Sequence, residues 1–418
     1  MKKTLLLVLI ALLVGSLFSF EFSGDFRTRY SWIFNAYPLN SDNPEKVESE
    51  RFIDSRLRAQ FEANPTDCIS IVFALKAGDY IWGDDAETGI FSNRVNVKTQ
   101  HLYLDYTGIR RTSFRVGLLP WYDPQSIVLD DDIAGTFLRH EFCNEVAIEA
   151  GYGLLRDGRT VLHDDWYGPW SHDYTYGADN ALYFFSIDYL REQGIQAIGN
   201  TYRYGPGRNR AYHVWAMPYL SKEWKYVNLD LMVAGTYSLI ERDYPIKNIE
   251  NYGAAAVLDF ELKGGRGGNP GINVLVATGD EGTDPESSTY FLTISSNYSN
   301  GLELFGNGLH DGSPKGYWFD PYNEGHGIMS AVFRYQVPMG NVVSLRMAAG
   351  GLSAVERGRG ETRVGGKMMG AEANLGLEFN LAKDFYIRLI GIYAQPYSYF
   401  GPSLDDIYGV HSTLDVKF

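Results

Sequence analysis

Basic side chains recur at alternate positions along several segments of the first third of the chain. Residues two apart on a β-strand point to the same side of a sheet, and neighbouring strands lie about 4.8 Å apart, so such side chains would form one basic wall. Guanidinium groups on a wetted wall attract anions and pair with carboxylate or phosphate through two N–H groups at once. The predicted wall comprises Arg27, Arg29, Arg56, Arg58, Lys76, Lys98 and Arg115.

Carboxylates are predicted on the same strand faces as these cations. They are Asp25, Asp54, Glu62 and Asp105. Ion pairs among them could neutralise the wall, and each pair would contribute little stability in a wet environment. The residues alone leave open whether the wall binds solutes or is neutralised.

A run of three acids follows shortly after the last basic strand. Asp130, Asp131 and Asp132 end a polar stretch, 121–132, that comes after the fifth candidate strand. We expect this stretch to fold toward the basic wall, where carboxylates opposite guanidinium groups would set up a transverse electric field at a constriction. The alternative is a solvated external loop.

The elements that must position these residues are long β-strands. Along 22–32, 53–62 and 69–77, apolar side chains alternate with polar or charged ones, as in strands with one apolar and one polar face. Nine or more alternating residues exceed the usual strand length of about 5–6. They match the roughly 9–11 residues that a tilted strand needs to cross a bilayer.

Short turns and long polar loops alternate between these strands, which is typical of transmembrane barrels. No internal repeat or linker is evident, so we expect one domain over residues 20–418. The predicted fold is all-β: a transmembrane antiparallel up-and-down β-barrel of about 18 strands, with about 16 to 20 acceptable. The weakest strand candidate is 302–306. Barrels of about 16–18 strands enclose an aqueous channel, whereas about eight strands fill with side chains.

Composition excludes several other classes of protein. The chain has 418 residues, of which 45% are hydrophobic and 15% aromatic, with 30 Tyr, unlike a disordered chain. Past residue 20 it lacks the run of about 18 apolar residues that a membrane-spanning helix needs. A net charge of −14 argues against a nucleic-acid partner. With two Cys we expect no Cys-ligated metal and no cofactor.

Both ends of the chain carry distinctive sequence patterns. Residues 1–19 combine two lysines, an apolar core at 4–14 and small residues before the mature chain, which predicts a secretory signal peptide. At the other end, Val410, Leu414 and Val416 alternate with polar residues up to the terminal Phe418. We therefore expect an exported protein that ends in a closing strand.

Four parts of the sequence together resemble Gram-negative outer-membrane porins. They are the strand 24–30, the strand carrying Arg56 and Arg58, the segment 114–118 and the terminal Phe418. Within these, the basic early strands most resemble the alginate-export type. The resemblance implies a non-enzymatic outer-membrane channel that passes small hydrophilic, anionic or sugar solutes by passive diffusion. It also implies that Phe418 is read by the barrel-assembly machinery. The implied partners are outer-membrane lipid and the solute, and the barrel would be a monomer or a homotrimer.

Two other functions stay open at this point. An outer-membrane hydrolase would place its site at the rim, and His163, Asp164 and Asp165 lie in the long predicted loop 157–179, where Asp and His could activate water. A secreted, soluble carbohydrate-binding β-protein would be extracted without detergent.

Overall fold

The computed structural model describes residues 19–37, 46–81, 97–142, 145–155, 181–190, 192–203, 210–241, 248–280, 287–306, 308, 320–356, 366–401 and 404–418. The strands in this part of the chain are β1 (Ser19–Ala36), β2 (Val47–Thr66), β3 (Ile69–Ile81), β4 (Val97–Ile109), β5 (Thr112–Tyr122), β6 (Asp130–Glu141), β7 (Val146–Leu155), β8 (Ala181–Tyr189), β9 (Gln193–Arg203), β10 (Arg210–Glu223), β11 (Val227–Glu241), β12 (Ile249–Leu262), β13 (Asn269–Ala277), β14 (Ser287–Ser288), β15 (Ile328–Pro338), β16 (Val343–Ala354), β17 (Met368–Ala382), β18 (Phe385–Pro396) and β19 (Ile407–Lys417). In the described connections, two single-turn 3-10 helices lie between strands, Gly265–Gly267 and Asn323–Gly325.

Strand β1 closes the sheet, because it pairs antiparallel with β2 on one side and with β19 on the other. Strand β13 pairs directly with β15, while the two-residue β14 lies parallel to β12 and is not part of the wall. The other eighteen described strands therefore form a closed antiparallel barrel, which confirms the predicted fold. Closure leaves no unpaired edge strand.

Side-chain alternation gives the barrel an apolar outer face. On β1, Phe26 and Tyr30 are exposed on the outside, whereas Arg29 and Ser31 are buried inside. Exposed Leu, Ile, Val, Phe and Tyr continue this outer band on nearly every strand. A water-soluble surface rarely carries so continuous an apolar band, and a lipid-facing barrel wall requires one.

Aromatic side chains border the band at both ends. At the long-loop end, ring centroids lie 5.1–5.6 Å apart in three cross-strand tyrosine pairs, Tyr152–Tyr183, Tyr237–Tyr252 and Tyr393–Tyr408. At the short-turn end, Phe22 contacts Phe61 and Phe418, with centroids 5.1 and 5.5 Å apart. Aromatic side chains at these positions are typical of the two interfaces of a membrane barrel.

Strand β1 and the C-terminal residue are hydrogen-bonded at the short-turn end. The Phe418 N–H donates to the Gly24 carbonyl at 3.0 Å, and the Gly24 N–H donates to the Phe418 carbonyl at 2.8 Å.

The predicted signal peptide, residues 1–19, lies outside the described residues apart from Ser19, where β1 begins. Within the described ranges, no helix is long and apolar enough to cross a bilayer.

The segment 302–306 is not a strand, so that strand prediction was wrong. It belongs to the connection between β13 and β15, the described part of which folds back into the barrel. There Tyr290, Phe291, Leu302 and Phe305 are buried. The apolar pattern of this segment reflects burial against the inner wall and not contact with lipid.

The two faces of β2 predict different costs for the same new charge. Leu57 is exposed on the outer face, and Gln60 pairs with Ala74 on the inner face. We expect Leu57→Arg to lower the free energy of unfolding by about 2–4 kcal/mol, the cost of an arginine facing mid-bilayer lipid, and Gln60→Arg to lower it much less. Urea unfolding in phospholipid vesicles measures both, and equal losses would contradict the assignment of the two faces.

Candidate pore constriction

The sheet register gathers the predicted basic residues into one patch. Arg58, Lys76 and Lys98 are consecutive partners across β2, β3 and β4. One row further along, Arg27 of β1 is the partner of Arg56 of β2. The spacing of adjacent strands brings these five cations together on the inner face of the barrel.

Buried carboxylates hold the arginines of β1 and β2 in pairs. Asp54 is wholly buried and lies 2.9 Å from Arg29 Nε and 3.8 Å from Arg27 Nη2. Asp25 lies in the same way between the two arginines of β2, 3.4 Å from Arg56 and 2.5 Å from Arg58. Each acid with its two arginines is called an arginine triad below.

A third arginine triad was missed by the sequence reasoning. Glu378 of β17 accepts hydrogen bonds from Arg346 of β16 at 2.6 Å and from Arg388 of β18 at 2.8 Å. Both arginines alternate with apolar residues, as in 343–347 and 385–389, so the signal used for the early strands would have found them. Barrel closure joins these late strands to β1, and the basic wall therefore extends from β16 through β1 to β5.

The predicted wall residue on β5 is also paired with an acid. Arg115 of β5 lies 3.2 Å from Glu149 of β7 and opposite Asp105 of β4. Glu62 accepts a hydrogen bond from Ser70 at 2.7 Å. The acids weighed in the sequence analysis therefore do meet polar partners inside the barrel, but each triad still holds two cations for one carboxylate.

The chain between β5 and β6 folds inward around one buried acid. Asp123 accepts the backbone N–H groups of Gln125, Ile127, Val128 and Leu129 at 2.8–3.2 Å. Burial raises the pKa of the Asp123 carboxyl, while these four N–H groups lower it by stabilising its charged form. The segment 123–129 is therefore the first of two inward segments.

The second inward segment is 287–306, and Glu372 fixes its far end. Glu372 projects from β17 and is buried. Its carboxylate accepts the backbone N–H groups of Glu303 and Phe305 at 2.8 Å each and that of Leu304 at 3.1 Å. One carboxylate thus accepts hydrogen bonds from three consecutive backbone N–H groups that have no partner in a strand.

Other inner-wall side chains hold the near end of the second segment. The Trp215 indole N–H donates to the Leu292 carbonyl at 2.8 Å, and the Asn251 amide donates to the Tyr290 carbonyl at 3.1 Å. These donors come from β10 and β12, whereas Glu372 comes from β17. The segment therefore crosses from one side of the inner wall to another.

The two inward segments are joined to each other. The Ile294 N–H donates to the Val128 carbonyl at 2.8 Å, and the Asp130 N–H donates to the Ser295 carbonyl, also at 2.8 Å. Because these hydrogen bonds join the two segments, a displacement of one segment would also displace the other.

The three predicted constriction acids begin β6 and do not form the loop expected for 121–132. Asp131 and Asp132 pair with Trp121 and Pro120 of β5, and Asp132 Oδ1 lies 2.9 Å from His101 Nε2. The ladder with β5 extends further than the polar sequence suggested, so only 123–129 turns inward. Among the described residues, neither Asp130 nor Asp132 forms an ion pair with the basic wall. Their role at a constriction stays a prediction.

No group of three His, Cys, Asp or Glu side chains able to hold a metal ion occurs in the described part of the chain. His163, Asp164 and Asp165, considered above for a rim hydrolase, lie outside the described residues.

Solved structures with the same fold include a porin and an outer membrane protein. A BenF-like porin from Pseudomonas fluorescens Pf-5 superposes with a TM-score of 0.57 at 9% identity, over 96% of this chain and 98% of that one. OccK9 (OpdG) of Pseudomonas aeruginosa gives 0.56 at 12%, over 96% and 98%. The outer membrane protein OprD of Pseudomonas aeruginosa gives 0.53 at 10%, over 95% and 94%. The sequence matches no protein-family model and none of the curated proteins. At these identities the likeness establishes the fold.

Glu372→Gln tests how the second inward segment is held. The Gln side chain places an NH2 group where one carboxylate oxygen now accepts backbone N–H groups, so at least one buried donor loses its acceptor. We expect the barrel to be destabilised by about 1–3 kcal/mol. The measurement is the temperature at which the folded, fast-migrating gel band converts to the unfolded one. Glu356→Gln, at the long-loop rim, is the matched control, and identical transitions for both variants would contradict the assignment.

Proposed function

We propose that the protein is an outer-membrane porin, a passive diffusion channel for small hydrophilic solutes with a preference for anions or acidic sugars. The observation that carries this proposal is the inner face of the barrel. It combines a continuous basic wall with two inward segments held by buried hydrogen bonds. A barrel of about 16–18 strands is wide enough for an aqueous channel, and segments packed inside it narrow that channel.

The outer face supports a location in the outer membrane. Its apolar band and aromatic borders suit a lipid bilayer, and in such barrels short turns face the periplasm and long loops the exterior. Two of the superposed structures are named as a porin and as an outer membrane protein. In this orientation the inward segments enter from the exterior side.

We also infer that the terminal Phe418, which packs against β1, is the residue that the barrel-assembly machinery reads.

The arginine triads support a preference for anions. A guanidinium has five N–H donors, and an ion pair with one carboxylate uses only some of them. The shared acid therefore holds two arginines in a fixed orientation on the inner face of the barrel. With two cations for one anion, each triad keeps a net positive charge.

The sequence resemblance to alginate-export porins supports acidic sugars as the solute class. Carboxylates spaced along a sugar chain would bind to successive arginines of the wall, since bidentate pairs of this kind are both strong and oriented. The superposed OprD and Occ structures share the fold, and the choice of solute rests on the basic wall.

Conductance of the refolded protein in a planar bilayer tests the proposed function. We expect stable current steps and, under a KCl gradient, a zero-current potential of the sign that anion preference produces. Arg56→Gln/Arg58→Gln leaves Asp25 without its cations, so the potential should move toward cation preference. Lys225→Gln/Lys383→Gln, at the short turns between β10 and β11 and between β17 and β18, is the control that also removes two cations. A folded barrel without current steps would overturn the proposal.

Block of the current by oligosaccharides tests the solute class. We expect oligouronates to reduce the open-channel current at lower concentration than neutral oligosaccharides of equal length, because only the former carry carboxylates. The difference should disappear in Arg56→Gln/Arg58→Gln. Equal block by the charged and neutral series in the wild-type protein would exclude acidic sugars as the preferred class.

A further inference from the structure

Glu303 is the acidic side chain that the second inward segment presents beside the arginine triads. Its backbone N–H is bound by Glu372, which fixes where the residue lies. The charged groups that act on its half-buried carboxyl come from four strands: Glu372 of β17, Arg388 of β18, Arg29 of β1 and Arg346 of β16.

The three arginines near Glu303 already have acidic partners. Arg29 is bound to Asp54, and Arg346 and Arg388 are bound to Glu378. Within the described residues the Glu303 carboxylate forms no ion pair of its own. It therefore adds a charge next to the triads without being part of one.

Two groups of forces act on this carboxyl in opposite directions. Burial and the neighbouring Glu372 carboxylate disfavour its charged form, and the three arginines favour it. The balance raises the pKa of Glu303 to about 7. The two neighbouring acids differ from Glu303 in their hydrogen bonds. The Glu372 carboxylate accepts three backbone N–H groups, and the Glu378 carboxylate accepts hydrogen bonds from two guanidinium groups.

We propose that Glu303 is a specificity-determining residue whose protonation switches the constriction between weaker and stronger attraction of anions. This inference rests on the proposed function. When Glu303 is ionised, its negative charge offsets part of the positive charge of the adjacent triads. When it takes up a proton from the water of the channel, that offset is lost and anions are favoured. Anion preference should therefore be fully developed below neutral pH and should decline as the pH rises through about 7.

The test is the zero-current potential under a fixed KCl gradient, measured between about pH 5 and pH 9, a range that brackets the titration of a shifted carboxyl. For the wild-type protein we expect the anion preference to fall with rising pH, with a midpoint near 7. In Glu303→Gln this pH dependence should be lost, with selectivity held at the low-pH value of the wild type. Glu303→Asp, which keeps a titrating carboxyl, should restore a pH dependence.

Two control variants separate Glu303 from other titrating groups. His411 lies on the same wall, hydrogen-bonded to Ser31 and Thr413, and its protonation would also favour anions. His411→Gln and the turn variant Asp67→Asn should both retain the wild-type titration. Fast gel migration before heating shows that each variant has folded.

The outcomes distinguish this inference from the proposed function. Current steps with a selectivity that does not change with pH, or a Glu303→Gln protein that titrates like the wild type, would overturn the role of Glu303 and leave the porin intact. A wild-type titration abolished by His411→Gln would likewise overturn it. Absence of current steps at every pH would instead overturn the proposed function, and this inference with it.

Discussion

Every backbone N–H and C=O group that faces hydrocarbon must find its partner within the protein, because lipid offers none. The antiparallel ladder that β1 closes between β2 and β19 meets this requirement for the wall. The same requirement recurs inside the barrel, where two irregular segments are buried. There the carboxylates of Asp123 and Glu372 accept the N–H groups that no strand takes up. The position of the two inward segments therefore depends on two buried acids.

The charge of the whole chain and the charge of the inner wall have opposite signs. The net charge of −14 counts every residue, whereas a solute in the lumen responds mainly to groups within about 8 Å, the screening length at physiological salt. Along the wall those groups are dominated by arginine triads, in which Asp25, Asp54 and Glu378 each hold two guanidinium groups. A net acidic protein can thus present a basic path.

The two inward segments link different sides of the inner wall. They bind to β10 and β12 on one side through Trp215 and Asn251, and to β17 on the other through Glu372. The ladder between Val128 and Ile294 makes them one unit. Because Glu303 belongs to that unit and lies near Arg29 and Arg388, the contacts that hold the inward segments also place an acid beside the cations.

The sequence by itself determined the barrel, the two faces of its strands and the basic residues of the first five strands. It could do so because a period of two is a local property, readable within about ten residues. Only the tertiary structure decided which acid lies between which arginines, and that Arg346 and Arg388 extend the wall begun by Arg27. It also decided that 302–306 packs inside the barrel instead of forming a strand. Apolar residues look the same in sequence whether they face lipid or a buried wall. The deciding contacts, such as Ser31 with His411 or Leu304 with Glu372, join residues that only barrel closure and the folded connections bring together.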